Sequence, residues 1–456
     1  MRNLAYHFIT FCFLTVGVLT ANAVSLKVVS ASDAMVALEG ETTVDVTVIN
    51  ESDEPITDVD FVLIVNKVKS SEVHVDLPQP VDIYGTSFVL SLPISADEET
   101  GNVSKQVSVT KVNGAKNQSD DNKADFTLFT LTQLEPRKVV MEEYTGLWCG
   151  FCPRGEAALD RLQDEFGARF IGISVHSGDA IENRDYVNAS LMPDALPKAS
   201  LQRIYNGIDP YSGTSGSYNE VCPIRHDVET IMAMPAEAAV ELAPAWADDS
   251  RSSINPNARV TFRFSTSKAR YAIGYVLLED SMTGTGRSWA QANYYYKDEN
   301  ARGRFHGDEY MDRFFDAEEN VVYNGTNYIP DYVCRRVAIS AQGIQRGIAN
   351  SIPLEFTADE TLTFDHSIST VNTLIQDKDH FSVVALLFNV NTGDIVNAAV
   401  AKLGDDSAMH IAAPQEAKAT GETVWYSANG QRLNGRVKGL NIVRMADGSV
   451  KKVIVK

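Results

Sequence analysis

Two cysteines separated by two residues, Cys149 and Cys152, are the residues in this sequence that are most clearly suited to a chemical reaction. They follow a stretch beginning with Val139-Val140-Met141 that predicts a buried strand. A helix is predicted directly after them, because apolar residues recur at helical spacing at Ala158, Leu159, Leu162 and Phe166. A cysteine at a helix N-terminus lies among unpaired N–H groups, which favour its thiolate form. The spacing therefore indicates a redox-active dithiol.

The elements around the pair predict a strand–helix–strand unit. The helix is expected to end before Gly167, a typical C-terminal capping residue. A second apolar strand is predicted at 170–175. Strand, cysteine pair, helix and strand in this order suit a βαβ unit, which would hold the pair at the end of a buried strand.

Three further residues strengthen this interpretation: Glu143 lies six positions before Cys149, Trp148 directly precedes Cys149, and Pro197 follows the second strand. Together with the cysteine pair, this set resembles the thioredoxin superfamily. The resemblance implies that Glu143 is buried beneath the dithiol and helps to move protons. It also implies that Pro197 is a cis-proline that faces the cysteines and binds the substrate backbone.

The sequence departs from the thioredoxin pattern at two positions. Phe151 replaces the proline between the cysteines, and Pro153 follows the second cysteine directly. Because the two middle residues tune the reduction potential, the direction of exchange stays open. A structural disulfide is the alternative. Half of a zinc site is disfavoured because no second Cys-x-x-Cys or close Cys/His pair is present, and His176 stands alone. We expect no metal and no cofactor.

Length and charge bound the function of the chain. Its 456 residues suggest about three domains of roughly 150 residues each. The formal net charge of −20 argues against a nucleic acid or an anionic membrane surface as the partner. The hydrophobic content of 44% is that of an ordinary globular protein.

The first 23 residues have the features of a secretory signal peptide. Arg2 supplies a positive start, residues 8–19 are mostly apolar, and Ala21-Asn22-Ala23 is an A-x-A cleavage site. The apolar run is too short to cross a hydrocarbon core of about 30 Å comfortably. In an exported chain Cys222 and Cys334 are expected to be bonded to each other or both buried, because exposed thiols are prone to oxidation.

The predicted fold class is multidomain β and α/β. Short β-branched strands and turn signals predict an immunoglobulin-like β-sandwich before the dithiol and a second β-sandwich after it. The predicted division is 1–23 signal peptide, 24–135 immunoglobulin-like β-sandwich, 136–235 thioredoxin-like domain, 236–404 second β-sandwich, 405–423 linker and 424–456 small β module.

An aromatic stretch interrupts the second predicted sandwich. Its members are Trp289, Tyr294, Tyr295, Tyr296, Phe305, His306, Phe314 and Phe315. Such a cluster serves to bind a ligand, to line the face of the dithiol domain or to pack a long loop; packing is the commonest of the three roles.

The C-terminal segment differs in charge from the acidic body. From residue 424 onward it has seven Lys or Arg against one acid, Asp447. Its pieces at 426–432, 438–444 and 451–456 resemble the C-terminal sorting domain of Bacteroidota type IX secretion. With residues 142–149 and Pro153, the chain resembles the twenty-eight-kilodalton outer-membrane-protein-related family of that phylum over roughly 136–402. The resemblance implies an outer-membrane or extracellular surface location, transit through the periplasm, and the secretion machinery as a partner.

Two functions follow from these patterns. In the first, the protein exchanges thiols and disulfides with protein partners. Cys149, which is expected to be the more exposed cysteine and to lie at the helix N-terminus, attacks, and Cys152 resolves the mixed disulfide. Glu143 carries the proton with a pKa raised by burial. Pro197 would contact the substrate backbone. In the second, a surface binding or adhesion protein presents loops of β-sandwiches, and Cys149–Cys152 is a structural disulfide.

Overall fold

The computed structural model describes residues 24–82 and 87–403, and in the C-terminal tail residues 424–427, 432–433, 438–444 and 450–455. The predicted signal peptide and the predicted linker at 405–423 lie outside the described residues. The described chain is predominantly β-structure arranged in several sheets. It divides into two compact units. The first contains the described residues up to Asp33, with Thr43–Leu92 and Ser104–Phe126; the second contains Ala34–Thr42, Pro93–Val103 and the described residues from Thr127 onward.

Alternation of buried and half-buried side chains builds the first unit. In Glu41–Asn50 the valines at every second position, Val44, Val46 and Val48, are fully buried, which is the period of a strand with one face in a core. One group of hydrogen-bonded strands is Leu26–Ala31, Glu41–Asn50 and Ser87–Ser95. In the other, Ile56–Val65 pairs antiparallel with Val68–Lys69, Val73–Val81 and Gly101–Val112, and the last pairs with Ala115–Lys116. This agrees with a β-rich region before the dithiol, and the immunoglobulin-like assignment remains a prediction.

An eight-stranded sheet carries the cysteine pair in the second unit. In chain order its strands are β1 Val139–Thr145, β2 Phe170–His176, β3 Lys198–Leu201, β4 Tyr205–Ile208, β5 Tyr271–Glu279, β6 Val337–Gln342, β7 Phe381–Asn389 and β8 Ile395–Lys402. Across the sheet the order is β4-β3-β1-β2-β6-β5-β7-β8. The pairs β1–β2 and β2–β6 are parallel, and β1–β3, β3–β4, β5–β6, β5–β7 and β7–β8 are antiparallel.

The predicted strand–helix–strand unit is confirmed. Helix α1 covers Pro153–Phe166, and Gly167 caps it at φ 54°, a backbone angle that glycine adopts without strain. Proline at the first helical position is favourable because its missing N–H would have no partner there. The other helices are α2 Arg184–Asn188, α3 Ile224–Ala233, α4 Glu299–Arg304 and α5 Glu309–Phe315, with 3-10 turns at Gly167–Arg169, Arg287–Trp289 and Lys378–His380.

The sheet is buried on both faces, which explains its apolar strands. One face packs on α1, α3 and α5 through residues such as Leu162, Val228 and Phe314. On the other face Val140 of β1 shares a core with Leu386 of β7. A strand buried on both sides gives a continuous apolar run instead of an alternating one. The predicted boundary between 136–235 and 236–404 therefore does not coincide with a break in this sheet or in its core.

Small sheets and a separate tail sheet complete the described residues. Ala34–Ala37 pairs in parallel with the C-terminal half of Lys123–Leu131. The three-stranded sheets consist of Ala238–Glu241, Arg259–Phe262 and Thr361–Thr363; of Ala245–Trp246, Ser253–Asn255 and Ile368–Ser369; and of Gln291–Ala292, Val321–Tyr323 and Thr326–Ile329. The tail forms a sheet from Val424–Ser427, Arg432–Leu433, Gly439–Arg444 and Val450–Val455, one short strand more than predicted. Among the described helices, none has the length and apolar character to cross a membrane.

Candidate functional site

The two cysteines form a disulfide in the loop that joins β1 to α1. Their Cα atoms are 5.4 Å apart. The loop turns tightly, because the Cys149 N–H donates to the Gly146 carbonyl at 2.9 Å and the Cys152 N–H donates to the Cys149 carbonyl at 3.2 Å. Cys152 occupies the N-cap of α1, and Cys149 lies three residues before it. The unpaired N–H groups of the helix are therefore closer in sequence to Cys152 than to Cys149. The expected position of Cys149 at the helix N-terminus is corrected accordingly: Cys152 occupies it.

The disulfide is buried, while the residues beside it are exposed. Cys149 is 5% exposed and Cys152 is 1% exposed, so the predicted order of exposure holds within a narrow range. Trp148 and Phe151 are 54% and 50% exposed. The indole Nε1 of Trp148 donates to the Ser177 carbonyl at 2.8 Å, which fixes the ring beside the loop. A molecule that approaches the disulfide thus meets aromatic side chains first.

The start of the aromatic stretch lies directly on the cysteine loop, which agrees with one of its three predicted roles, but sequence reasoning did not identify the individual contacts. The Ala292 N–H donates to the Leu147 carbonyl at 2.7 Å, and the Tyr294 N–H donates to the Gly150 carbonyl at 3.0 Å. The Gln291 amide donates to the Cys149 carbonyl at 3.0 Å. A Cβ on Gly150 would lie 2.4 Å from the Tyr294 ring, so this close contact requires glycine between the cysteines. Glycine at position 150 was the only sequence signal for it.

Glu143 lies beneath α1, as the thioredoxin resemblance implied. Its side chain is 1% exposed, and among the residues that the structure describes its Oε1 has no hydrogen-bond partner. A Cβ on Gly155 would lie 2.3 Å from that oxygen, which places the carboxyl against the first turn of the helix. Burial raises the pKa of Glu143 well above its ordinary value, and the charge of Glu156 raises it further. The Thr145 hydroxyl, Arg154 and Arg336 lower the pKa without cancelling that rise.

A small cavity extends from this acid to Cys152. Its volume is about 10 Å³, about what one water molecule needs. Its lining includes Glu143, Cys152, Glu156, His176, Gln291 and Cys334. Glu143 and Cys152 therefore line one and the same cavity.

Three side chains from residues 313–336 hold helix α1 over this cavity. The Tyr332 hydroxyl donates to Glu156, and Arg313 contacts Glu156 at 3.3 Å. Arg313 also pairs with Asp160 at 2.7 Å. Arg336 pairs with the other oxygen of Asp160 at 2.6 Å. These partners lie more than 150 residues from Glu156 and Asp160 in sequence, and no local pattern connects them.

Pro197 takes the predicted backbone form, since the Leu196–Pro197 peptide bond is cis. Pro197 is buried and directly precedes β3. The register of β3 on β1 pairs Lys198 with Tyr144 and Ala199 with Glu143. Pro197 therefore reaches the end of β1 that leads into the cysteine loop, close in the sheet to Glu143.

His176 and Asp179 anchor the start of the cysteine loop. They form a buried pair at 2.7 Å, and Asp179 also accepts the Leu147 N–H at 2.9 Å. Burial raises the pKa of Asp179, but His176 and the N–H groups of Leu147 and Ile181 outweigh that effect, so the pKa lies below its ordinary value. His176 is thus a satisfied core residue. Within the described chain, no group of three or more His, Cys, Asp or Glu is arranged to hold a metal ion.

Cys222 and Cys334 are both free and both buried, at 0% and 2% exposure. This confirms the second of the two predicted outcomes for these cysteines. Burial raises the pKa of each thiol far above its ordinary value, so neither is a reactive thiolate near neutral pH.

Comparison with known proteins gives distant structural similarity alone. No protein-family model and no curated protein sequence matches this chain. HBP35 of Porphyromonas gingivalis matches 71% of this chain over 99% of its own, at 17% identity and a TM-score of 0.39. Protein AGR_C_4864 from Agrobacterium tumefaciens matches 60% of this chain over 97% of its own, at 12% identity and a TM-score of 0.32. The CARDB domain of the PF1109 protein from Pyrococcus furiosus matches 25% of this chain over 96% of its own, at 13% identity and a TM-score of 0.18.

Proposed function

We propose that this protein exchanges thiols and disulfides with protein partners through Cys149 and Cys152, which a thioredoxin-like domain presents. The order β1, α1, β2, β3, β4, α3 and the sheet order β4-β3-β1-β2 support the domain assignment. A cis-proline at the start of β3 and a dithiol at the start of α1 support it further.

The observation that carries the proposal is the buried carboxyl of Glu143. A carboxyl that is only 1% exposed costs free energy in a protein interior, so a purely structural disulfide gives no reason to keep one beside it. Groups with strongly shifted pKa values concentrate at functional sites. Glu143 lines the same cavity as Cys152, and from there it would accept the proton of the resolving thiol.

In the proposed reaction, the Cys149 thiolate attacks one sulfur of a substrate disulfide, and the other substrate sulfur leaves as a thiolate. Cys152 then passes its proton to Glu143 and attacks the Cys149 sulfur. This step releases the second substrate thiolate and forms the Cys149–Cys152 disulfide. The substrate is reduced by two electrons and the protein dithiol is oxidised by two. The same steps in reverse would oxidise a substrate dithiol.

A structural disulfide in a binding or adhesion protein is the second candidate. The burial of both sulfurs and the hydrogen bonds from Gln291, Ala292 and Tyr294 to the cysteine loop favour it. A loop braced in this way gains rigidity whether or not its disulfide turns over.

A trapping experiment separates the two functions. The reduced Cys152→Ser variant, mixed with oxidised glutathione, should gain one glutathione on Cys149 and keep it, because no resolving thiol remains. Cys149→Ser should gain none, because Cys152 is shielded, and Cys222→Ser should behave as the wild type. Intact-mass spectrometry gives the readout. The exchange proposal is wrong if Cys152→Ser traps nothing and the wild type exchanges with no test disulfide; the structural role then stands.

We further propose that the protein is exported to the outer-membrane or extracellular surface and that the basic tail is a removable sorting module that contacts the secretion machinery. The signal-like residues 1–23 and the seven basic residues after position 424 support this. Intact-mass analysis of protein taken from the cell surface should give a chain that ends within 405–423. A surface protein that still ends at Lys456 would contradict a removable tail.

A further inference from the structure

A cleft of about 460 Å³ opens beside the disulfide. Five aromatic residues line it, Phe151, Tyr218, Tyr294, Tyr295 and Phe305, and we call it the aromatic cleft. The Phe151 and Tyr294 rings meet edge to face with centroids 4.9 Å apart, and Tyr295 and Phe305 do so at 5.4 Å. Phe151 stands between the two cysteines, so a molecule in this cleft lies next to the disulfide.

The rings at the mouth of the aromatic cleft are accessible. Phe151 is 50% exposed and Tyr294 is 48% exposed. By contrast, Tyr295 is 4% exposed and Phe305 is 2% exposed, and these two form the wall. Exposed aromatic rings over a formed apolar wall are typical of sites that take an aromatic or apolar side chain.

The aromatic cleft is lined by two arginines and one aspartate, although the chain has a net charge of −20. Arg154 and Arg304 both line it. Arg154 is neutralised by Asp209 at 2.7 Å. Arg304 lies over the Tyr218 ring at 5.3 Å, and within the described residues it has no ion pair. The one lining acid, Asp298, is occupied in accepting the N–H groups of Asn300 and Ala301 at the start of α4. The guanidinium of Arg304 is therefore available to a carboxylate.

We propose that the aromatic cleft binds an extended peptide segment of the substrate that carries an aromatic and an acidic side chain next to a cystine. The aromatic side chain would lie against Tyr294 and Phe151, and the acidic one would pair with Arg304. This inference rests on the proposed exchange function and names its substrate class. An extended segment is required because Cys149 is only 5% exposed, and a rigid folded surface cannot bring a disulfide to so recessed a sulfur.

Rate measurements on defined disulfides test the inference. The full-length protein is reduced with dithiothreitol, which is then removed. It is mixed with tripeptides in which Glu and Tyr, in either order, precede Cys, and in which the Cys is joined to mercaptoethanol by a disulfide bond. Gln-Ala-Cys peptides joined in the same way are the reference. Cys149 attacks the peptide sulfur and mercaptoethanol leaves as the thiolate. We expect the acidic aromatic peptides to react about tenfold faster than the reference, because binding raises the local concentration of the disulfide.

Matched variants locate the effect. Arg304→Gln and Tyr294→Ala should each reduce the preference to about twofold or less. Arg184→Gln should leave the preference unchanged, because its side chain is 86% exposed and lies outside the aromatic cleft. Arg304 is itself exposed, so its replacement should not unfold the protein. Equal rates for the two peptide classes in the wild type would overturn the proposed substrate class even if exchange occurs.

A binding measurement separates failure of the cleft from failure of exchange. The same tripeptides with Ser in place of Cys are titrated into the oxidised protein by calorimetry. Binding that Arg304→Gln weakens about tenfold supports the aromatic cleft even if no disulfide reacts. Absence of binding, together with the lack of a rate preference, overturns it. If 4-hydroxyphenylpropionate binds as tightly as the peptides, the occupant is a small aromatic acid and the peptide assignment is wrong.

Discussion

The two halves of the eight-stranded sheet bury different chemistry. Strands β5 and β7 are buried along almost their whole length and are mostly apolar. Strands β1 and β2 bury five polar residues, namely Glu142, Glu143, Thr145, Ser174 and His176. Because buried polar groups reduce stability unless they are paired, the half with β5 and β7 is built for stability. The half with β1 and β2 keeps groups that packing alone would exclude.

Three buried glutamates sharpen this contrast. Glu142 accepts hydrogen bonds from Arg203 and Tyr186. Glu279, at the end of β5, accepts the N–H groups of Gln376 and Asp377. Glu143 alone of the three has an oxygen without a partner in the described structure. Glu142 and Glu279 therefore have a structural explanation, whereas Glu143 calls for a functional one.

The largest expected effect lies in the apolar half. Leu386→Ala on β7 removes a fully buried side chain from the core shared with β1 and should lower the free energy of unfolding by about 2–5 kcal/mol. Val400→Ala on β8, where the side chain is 39% exposed, is the control and should cost about 1 kcal/mol or less. Urea denaturation of both variants measures the difference. An equal loss in the free energy of unfolding for the two variants would contradict the inference that this half of the sheet is built for stability.

An intermediate effect is expected at Gly155, under the first turn of α1. Alanine is favoured over glycine in a helix by roughly 0.5–1 kcal/mol. Here its Cβ would lie 2.3 Å from Glu143 Oε1, so Gly155→Ala should instead destabilise the protein by about 1–3 kcal/mol. Adding Gly155→Ala to a Glu143→Ala background should reverse the sign. The prediction fails if Gly155→Ala has the same effect in both backgrounds.

The smallest effect on stability, and the one that varies with pH, is expected for Glu143→Gln. The folded protein holds the Glu143 proton more tightly than the unfolded chain does, so wild-type stability falls as the pH rises from about 4.5 to the raised pKa of Glu143 and is constant above it. The variant lacks this loss. Its stability relative to the wild type should therefore rise across the same window, and each tenfold difference in proton affinity corresponds to about 1.4 kcal/mol.

Glu279→Gln is the matched control for that variant. Its carboxylate accepts backbone N–H groups, so the amide should lower stability by about 1–3 kcal/mol near neutral pH.

Glu143→Gln should also slow thiol–disulfide exchange by about tenfold or more, because the amide cannot take the Cys152 proton. Burial raises the pKa of Glu279 as well, so the two variants are compared near neutral pH and not by their pH trend. Denaturation curves and glutathione exchange rates give both readouts. Loss of exchange in both variants, or in neither, would contradict separate roles for the two acids.

Local signals in the sequence were sufficient for the elements around the dithiol. The helical spacing of Ala158, Leu159 and Leu162 and the capping residue Gly167 predicted α1 and its end. Apolar residues predicted β1 before the dithiol and β2 at 170–175, close to its observed bounds. These features depend on neighbours a few residues apart, and periodicity records such neighbours directly.

Local patterns in the sequence did not reveal which strands pair with one another. A run such as Phe381–Asn389 has the same apolar pattern whether it joins a separate sandwich or extends the sheet of β1, because only its distant partners differ. The contacts of Gln291 with Cys149, of Tyr332 with Glu156 and of Arg336 with Asp160 join segments 142–176 residues apart. No spacing rule predicts such contacts.

The sequence by itself thus determined which residues are candidates for chemistry: Cys149 and Cys152 follow from residue type and short spacing, and Glu143 and Pro197 follow from the resemblance to the thioredoxin superfamily. Only the tertiary structure decided how they are enclosed, because enclosure depends on which distant segments the folded chain places over the loop. It placed residues 291–294 on the cysteine loop, buried Glu143 against the first turn of α1, and placed Arg304 and four aromatic rings beside Phe151.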